Sequence, residues 1–204
     1  MSQTKEVRAF PVSIELRKDD QAEQRFVDGV GVIYDKEVEL WDGYYEKIDR
    51  NAFKDCLKGN PEIKSFFNHD PNYVLSTTAS DPALVISDMG DGLMFSSPIP
   101  DTSYGRDLIE NLKRGNVKGA SFTFTVNRDS VTVDKDGNYH RSIDDATIYE
   151  LGPVTNPAYT QTSVGLRSKD SLMEEARQRV SNDDVEAEHE YRRNVIALLE
   201  IENN

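Results

Sequence analysis

Residues Gly119-Ala120-Ser121-Phe122-Thr123-Phe124-Thr125-Val126 alternate with a period of two. A strand is the conformation in which such a run buries one face only: Phe122, Phe124 and Val126 line one side, Ser121, Thr123 and Thr125 the other. Comparable short runs recur along the chain. Val7 to Lys18 carries Phe10, Val12, Ile14 and Leu16, with Pro11 pointing to an edge position. Phe26 to Tyr34 is loosened by Gly29 and Gly31, which signal a bulge or tight curvature. Val38 to Ile48 turns around Asp42-Gly43. Ile63 to Phe67, Tyr73 to Thr78, Ala83 to Ser87, Leu93 to Ser97, Ser130 to Val133, Tyr139 to Ile143 and Thr147 to Leu151 follow, bounded by Asp, Gly, Pro or Asn. Asp134 to Asn138 reads as a hairpin joint. Two helices interrupt the strands. Asn51 to Leu57 is closed by Gly59. Ser103 to Arg114 repeats Tyr104, Leu108 and Leu112 every four residues, with Lys113 and Arg114 at the negative end of its dipole and Gly115 as the stop. The fold expected is α+β, mostly β: a small antiparallel barrel with helices packed outside.

The composition changes near Arg167. Residues 167–204 contain no Gly, no Pro and no aromatic residue except Tyr191. Ser171 with Glu174 fits a capping box, and Val195, Leu198 and Leu199 form part of an apolar stripe. The expected organisation is a barrel domain over residues 1–166 and a charged helical tail over 167–204, broken near Ser181-Asn182-Asp183-Asp184.

Charge and cysteine usage exclude several functions. A formal net charge of -13 argues against a nucleic-acid binder, which needs a basic surface to displace counterions, and is compatible with a basic protein partner. No apolar run approaches the ~20 residues of a membrane span, and the N-terminus lacks the regions of a signal peptide, so an intracellular, membrane-free protein is expected. Cys56 is the single cysteine, which excludes an intramolecular disulfide and a Cys-based zinc site. It falls on the short helix near Phe53 and Leu57 and reads as a small core residue.

A serine, a histidine and a carboxylate are the parts of a nucleophile, base and orienter set. Ser121 follows two small residues that leave its hydroxyl uncrowded. Alone it could equally be a hydrogen-bonding strand residue, and no Gly-x-Ser-x-Gly elbow is present, which disfavours an α/β-hydrolase. Of the three histidines, His69 lies where a strand meets the turn Asp70-Pro71, either as a base or as a cap of that turn. His140 follows the hairpin joint beside Arg141, exposed or orienting another histidine. His189, between Glu188 and Glu190, is solvated. Glu150 falls on the strand face of Ile148 by simple alternation, at a solvated edge or in a polar site where an imidazolium is a good partner. Asp134-x-Asp136-Gly137 resembles the start of a calcium loop without its later ligands, and reads as a turn. His69, Asp70 and His140 lack any recognisable metal-ligand spacing, so no metal or cofactor is expected.

Five segments in order resemble the prohead proteases of tailed bacteriophages, the capsid maturation serine proteases. Ile48-Asp49-Arg50-Asn51-Ala52-Phe53 resembles the Gly-Ala-Phe helix start, with Asn where Gly is usual. Phe67-Asn68-His69-Asp70 resembles the histidine motif, and Asp88-Met89-Gly90-Asp91-Gly92-Leu93 the acidic Gly-Leu strand entry. Leu112 to Phe124 resembles the helix–glycine–serine block, with Phe122-Thr123-Phe124 in place of Ile-Gly-Phe. Glu150-Leu151-Gly152-Pro153-Val154-Thr155-Asn156-Pro157-Ala158 resembles the Glu-Val-Ser-x-Val-x-x-Pro-Ala block, with Leu151-Gly152 in place of Val-Ser. The similarity covers about residues 25–167. It implies a fold like that of the herpesvirus assembly proteases, with Ser121 as nucleophile, His69 as general base and Glu150 as third member. In the herpesvirus relatives the third member is a histidine, which keeps His140 as a competitor. The implied activity is a serine endopeptidase acting in the host cytoplasm inside the immature capsid. Its implied partners are scaffolding protein or the scaffolding segment of the major capsid protein, and itself. A non-enzymatic capsid-assembly or scaffolding factor on the same fold is the alternative, with the tail as its working part.

Overall fold

Phe122 and Phe124 of the alternating run are wholly buried, with Val126 partly so, and Ser121 and Thr125 on the opposite face are buried too, so the run buries both faces, not the single face expected. The computed structural model describes residues 4–19, 23–157 and 172–180. Among the described residues there are eleven strands: β1 (Lys5–Pro11), β2 (Ile14–Lys18), β3 (Arg25–Ile33), β4 (Val38–Trp41), β5 (Tyr44–Ile48), β6 (Lys64–Phe66), β7 (Val74–Thr77), β8 (Val85–Asp88), β9 (Gly92–Ile99), β10 (Gly119–Val133) and β11 (Tyr139–Val154). Helix α1 spans Lys54–Lys58 and α2 spans Ser103–Lys113. Residues 172–180 form a third helical segment, α3. No described helix is long and apolar enough to cross a membrane.

The closed barrel expected from the sequence is not what the hydrogen bonds build. Among the described residues they form two open sheets. One has the order β1-β10-β11-β5-β4, with β6 against β11 and β7 against β6; the other has the order β2-β3-β9-β8. The expected single strand from Val7 to Lys18 is two strands in different sheets, because the chain leaves one sheet after Pro11 and enters the other at Ile14. Pairing is antiparallel except along one edge of β11, which takes β5 and then β6 in parallel. The two runs expected on each side of Asp134–Asn138 are continuous with the Ser121 strand and the Glu150 strand, giving a long β10–β11 ribbon.

The two sheets and α1 share one apolar core. Phe53, beside α1, meets Phe122 and Phe124 edge-on at 6.0 and 6.3 Å between ring centroids. Leu151, Val27, Val32, Leu93 and Phe95 fill the space between the sheets. Each such side chain contributes about 1.5–3 kcal/mol when fully buried. A bulge between Val30 and Val32 places Gly31 against the Leu151 side chain, which occupies the space a Cβ would need. Helix α2 begins at Thr102, whose hydroxyl accepts the Gly105 N–H at 3.1 Å, and buries Leu108 and Ile109. Leu172 and Ala176 of α3 pack on Leu40, Trp41 and Tyr44, in a second, smaller cluster. The other residues of the expected tail, with Ser171 and the Val195, Leu198 and Leu199 stripe, lie outside the described residues.

A network of charged side chains is buried beside this core. Arg8 donates to both oxygens of Glu46, at 2.6 and 2.8 Å, and to Glu6 at 2.7 Å. Arg141 bridges Glu6, Glu46 and Asp129 at 2.7–3.1 Å. Arg179 of α3 reaches the other Asp129 oxygen. Burial opposes the charge on Glu6, but the Arg141 and Arg8 guanidiniums prevail and lower its carboxyl to about 2.

Candidate active site

Strands β10 and β11 place the polar face of the alternating run opposite two positions of the Glu150 segment. Ser121 pairs with Gly152 and Thr123 with Glu150; the register then slips, and Phe124 pairs with Ile148. Tyr149 is the extra residue. This bulge corrects the simple alternation, which put Glu150 on the face of Ile148. Ile148 points into the core with Phe124, whereas Glu150 shares the face of Ser121 and Thr123.

Strand β6 supplies the third element. It lies parallel to β11, with Lys64 opposite Glu150. Gly152 permits this approach: a Cβ there would sit 2.3 Å from the Phe66 carbonyl oxygen. The chain then turns through Asn68 and His69, both left-handed at φ 56° and 61°. The turn closes with the Asp70 carboxylate accepting the Asn72 N–H at 2.8 Å.

These elements bring Ser121, His69 and Glu150 into one line. His69 Nε2 lies 2.5 Å from Ser121 Oγ, and His69 Nδ1 lies 2.8 Å from Glu150 Oε1. The carboxylate can only accept, so a neutral imidazole carries its proton on Nδ1 and turns the Nε2 lone pair to the serine. Glu150 is 8% exposed and both its oxygens are engaged, since the Thr123 hydroxyl donates to Oε2 at 2.9 Å. Ser121 Oγ also lies 2.8 Å from the Arg8 carbonyl oxygen of β1. The hydroxyl has one proton and two acceptors, so donation to Arg8 and donation to His69 are alternatives. The arrangement can generate a serine alkoxide equivalent and hold the imidazolium that results.

His140 is elsewhere engaged. Its Nδ1 contacts Glu37 at 2.8 Å, its Nε2 contacts Asp134 at 3.3 Å, and its ring stacks on Tyr45. The hydrogen bond to Glu37, and then that to Asp134, raises its pKa. Asp134 caps the β10–β11 turn by accepting from the Asp136 and Asn138 N–H groups, each at 2.9 Å, as the turn reading of that motif expects. Cys56 is half-buried against the main core. His189 lies outside the described residues. Sequence reasoning missed Thr123 and the Arg8 carbonyl as parts of the site. Thr123 carried a usable signal, two residues from Ser121 on the same strand face. The Arg8 carbonyl carried none, because it depends on the β1–β10 register.

Comparison with known proteins adds two findings. A family model described as caudovirus prohead serine protease matches residues 12–178. Among solved structures, the bacteriophage T4 capsid assembly protease, gp21, is similar in fold, with a TM-score of 0.55 and 11% identity over 77% of this chain and 100% of that one. No curated protein gives a significant match.

Proposed function

Because the chain belongs to the caudovirus prohead serine protease family, we propose that it is a serine endopeptidase of capsid maturation with Ser121, His69 and Glu150 as its catalytic set. The observation that carries the assignment is the unbroken line from Ser121 Oγ through both imidazole nitrogens to a buried carboxylate. Ser121 Oγ attacks the peptide carbonyl while His69 Nε2 takes its proton. The same proton passes to the leaving amine, and water then hydrolyses the acyl-enzyme through the same base. Glu150 keeps the imidazole in the Nδ1–H tautomer and balances its charge.

The substrates proposed are scaffolding protein or the scaffolding segment of the major capsid protein, inside the immature capsid in the host cell, and the enzyme itself. A likeness in fold to the herpesvirus assembly proteases belongs to this reading; superposing the two sheets on such a protease tests it. The division into a protease domain over residues 1–166 and a tail over 167–204 that anchors to a partner or is removed by self-cleavage is likewise proposed. Normal packaging of a tail-deleted variant into proheads would count against the anchor.

The catalytic claim is tested with a fluorophosphonate, which reports a nucleophilic serine without requiring the natural substrate. We expect a single adduct, mapped by mass spectrometry to the Ser121 peptide and absent from His69→Ala. An adduct elsewhere, or undiminished labelling of His69→Ala, would remove the assignment.

A further inference from the structure

We propose that Asn68 is a positioning residue that locks His69 onto Glu150, an inference that rests on the catalytic reading above. Two observations carry it independently. The first is the backbone. Asn68 and His69 are consecutive left-handed residues, a region that few non-glycine residues occupy and that two in succession occupy more rarely still. A left-handed histidine two residues into a turn persists only when its surroundings hold it there.

The second is what holds it. The Asn68 N–H donates to the Pro153 carbonyl at 3.1 Å. The Asn68 side-chain oxygen accepts the Thr155 N–H at 2.9 Å and the Thr155 hydroxyl at 3.2 Å. All three hydrogen bonds join the histidine turn to the end of the segment that carries Glu150. The two ends of the 2.8 Å His69–Glu150 contact therefore belong to segments that Asn68 ties together. Asn68 is itself exposed, so its side chain adds no buried apolar surface that would explain it as a core residue.

The left-handed turn and the clamp separate by substitution. Asn68→Gly keeps the backbone preference and loses the side-chain acceptor. Asn68→Asp keeps an acceptor at the same place. The readout is inactivation by a fluorophosphonate, in which Ser121 Oγ bonds to phosphorus, fluoride leaves and His69 takes the hydroxyl proton. We expect Asn68→Gly to lower the maximal inactivation rate about tenfold, with half-saturation and melting temperature near wild type. Asn68→Asp should stay within about twofold of wild type. The low-field proton signal of His69 Nδ1–H should broaden or vanish in Asn68→Gly and persist in Asn68→Asp.

A wild-type rate in Asn68→Gly overturns the inference, as does an equal loss in both variants with the low-field signal unchanged. Should Asn68→Gly fail to fold, Thr155→Val decides, because it removes the hydroxyl contact from the other side. Slower inactivation there supports the clamp and a wild-type rate refutes it. Labelling that survives His69→Ala would instead overturn the catalytic reading, and the clamp with it.

Discussion

Thr123 occupies the oxygen of Glu150 that His69 leaves free, and without it a buried carboxylate oxygen would lack a donor. Thr123→Val should lower the rate of proteolysis about tenfold, the cost of one unsatisfied buried acceptor, and Thr123→Ser should restore most of it. Time courses of substrate cleavage by the two variants check this. His140 marks the other limit. Its nitrogens are spent on Glu37 and Asp134, so His140→Ala should leave cleavage unchanged, and a loss of cleavage would reopen the third position. Its raised pKa gives a stabilisation present below the ordinary histidine range and lost as pH rises through the raised value. At this half-exposed site the loss on substitution should be about 0.5 kcal/mol by urea denaturation at pH 6. Which carboxylate faces which histidine was legible only through resemblance, since the residues alone left Glu150 and His140 open.

Strand positions were legible because an alternating run has a period of two, and Phe122 and Phe124 do enter the core, but burial itself does not alternate, since Ser121 and Thr125 on the other face are buried too. The side of Glu150 was not legible, because the bulge at Tyr149 breaks that period and leaves no local signal. Nor was the break after Pro11, which moves Ile14 into the second sheet: both halves of the run alternate equally well. The helix α2 boundaries were readable to within a residue, since its cap and stop are local. At Gly152 the element scale meets the site. The atom a Cβ would strike there is backbone, which cannot swing aside. Gly152→Ala should push β6 from β11, cost about 1–3 kcal/mol in urea denaturation and slow cleavage by displacing the histidine turn. Wild-type stability would contradict the packing argument.

The closed barrel expected for the whole molecule gives way to two sheets because closure depends on long-range pairing, which no local pattern encodes. The buried ion network was equally hidden, since Glu6, Arg8, Glu46 and Arg141 come from three strands that meet only in the folded sheet. It makes the molecule acid-sensitive. The Glu6 carboxyl is lowered to about 2, so its stabilisation is complete above the ordinary carboxylate range and is lost as pH falls toward 2. A loss of about 3 kcal/mol is expected over that window, and Glu6→Gln should flatten it in acid titrations of stability. The catalytic reading stands or falls on the intact molecule among its partners. The deciding measurement is the processing of co-expressed capsid and scaffold proteins by wild type and by Ser121→Ala: mature-length products are expected with wild type alone, and undiminished processing by Ser121→Ala would contradict it.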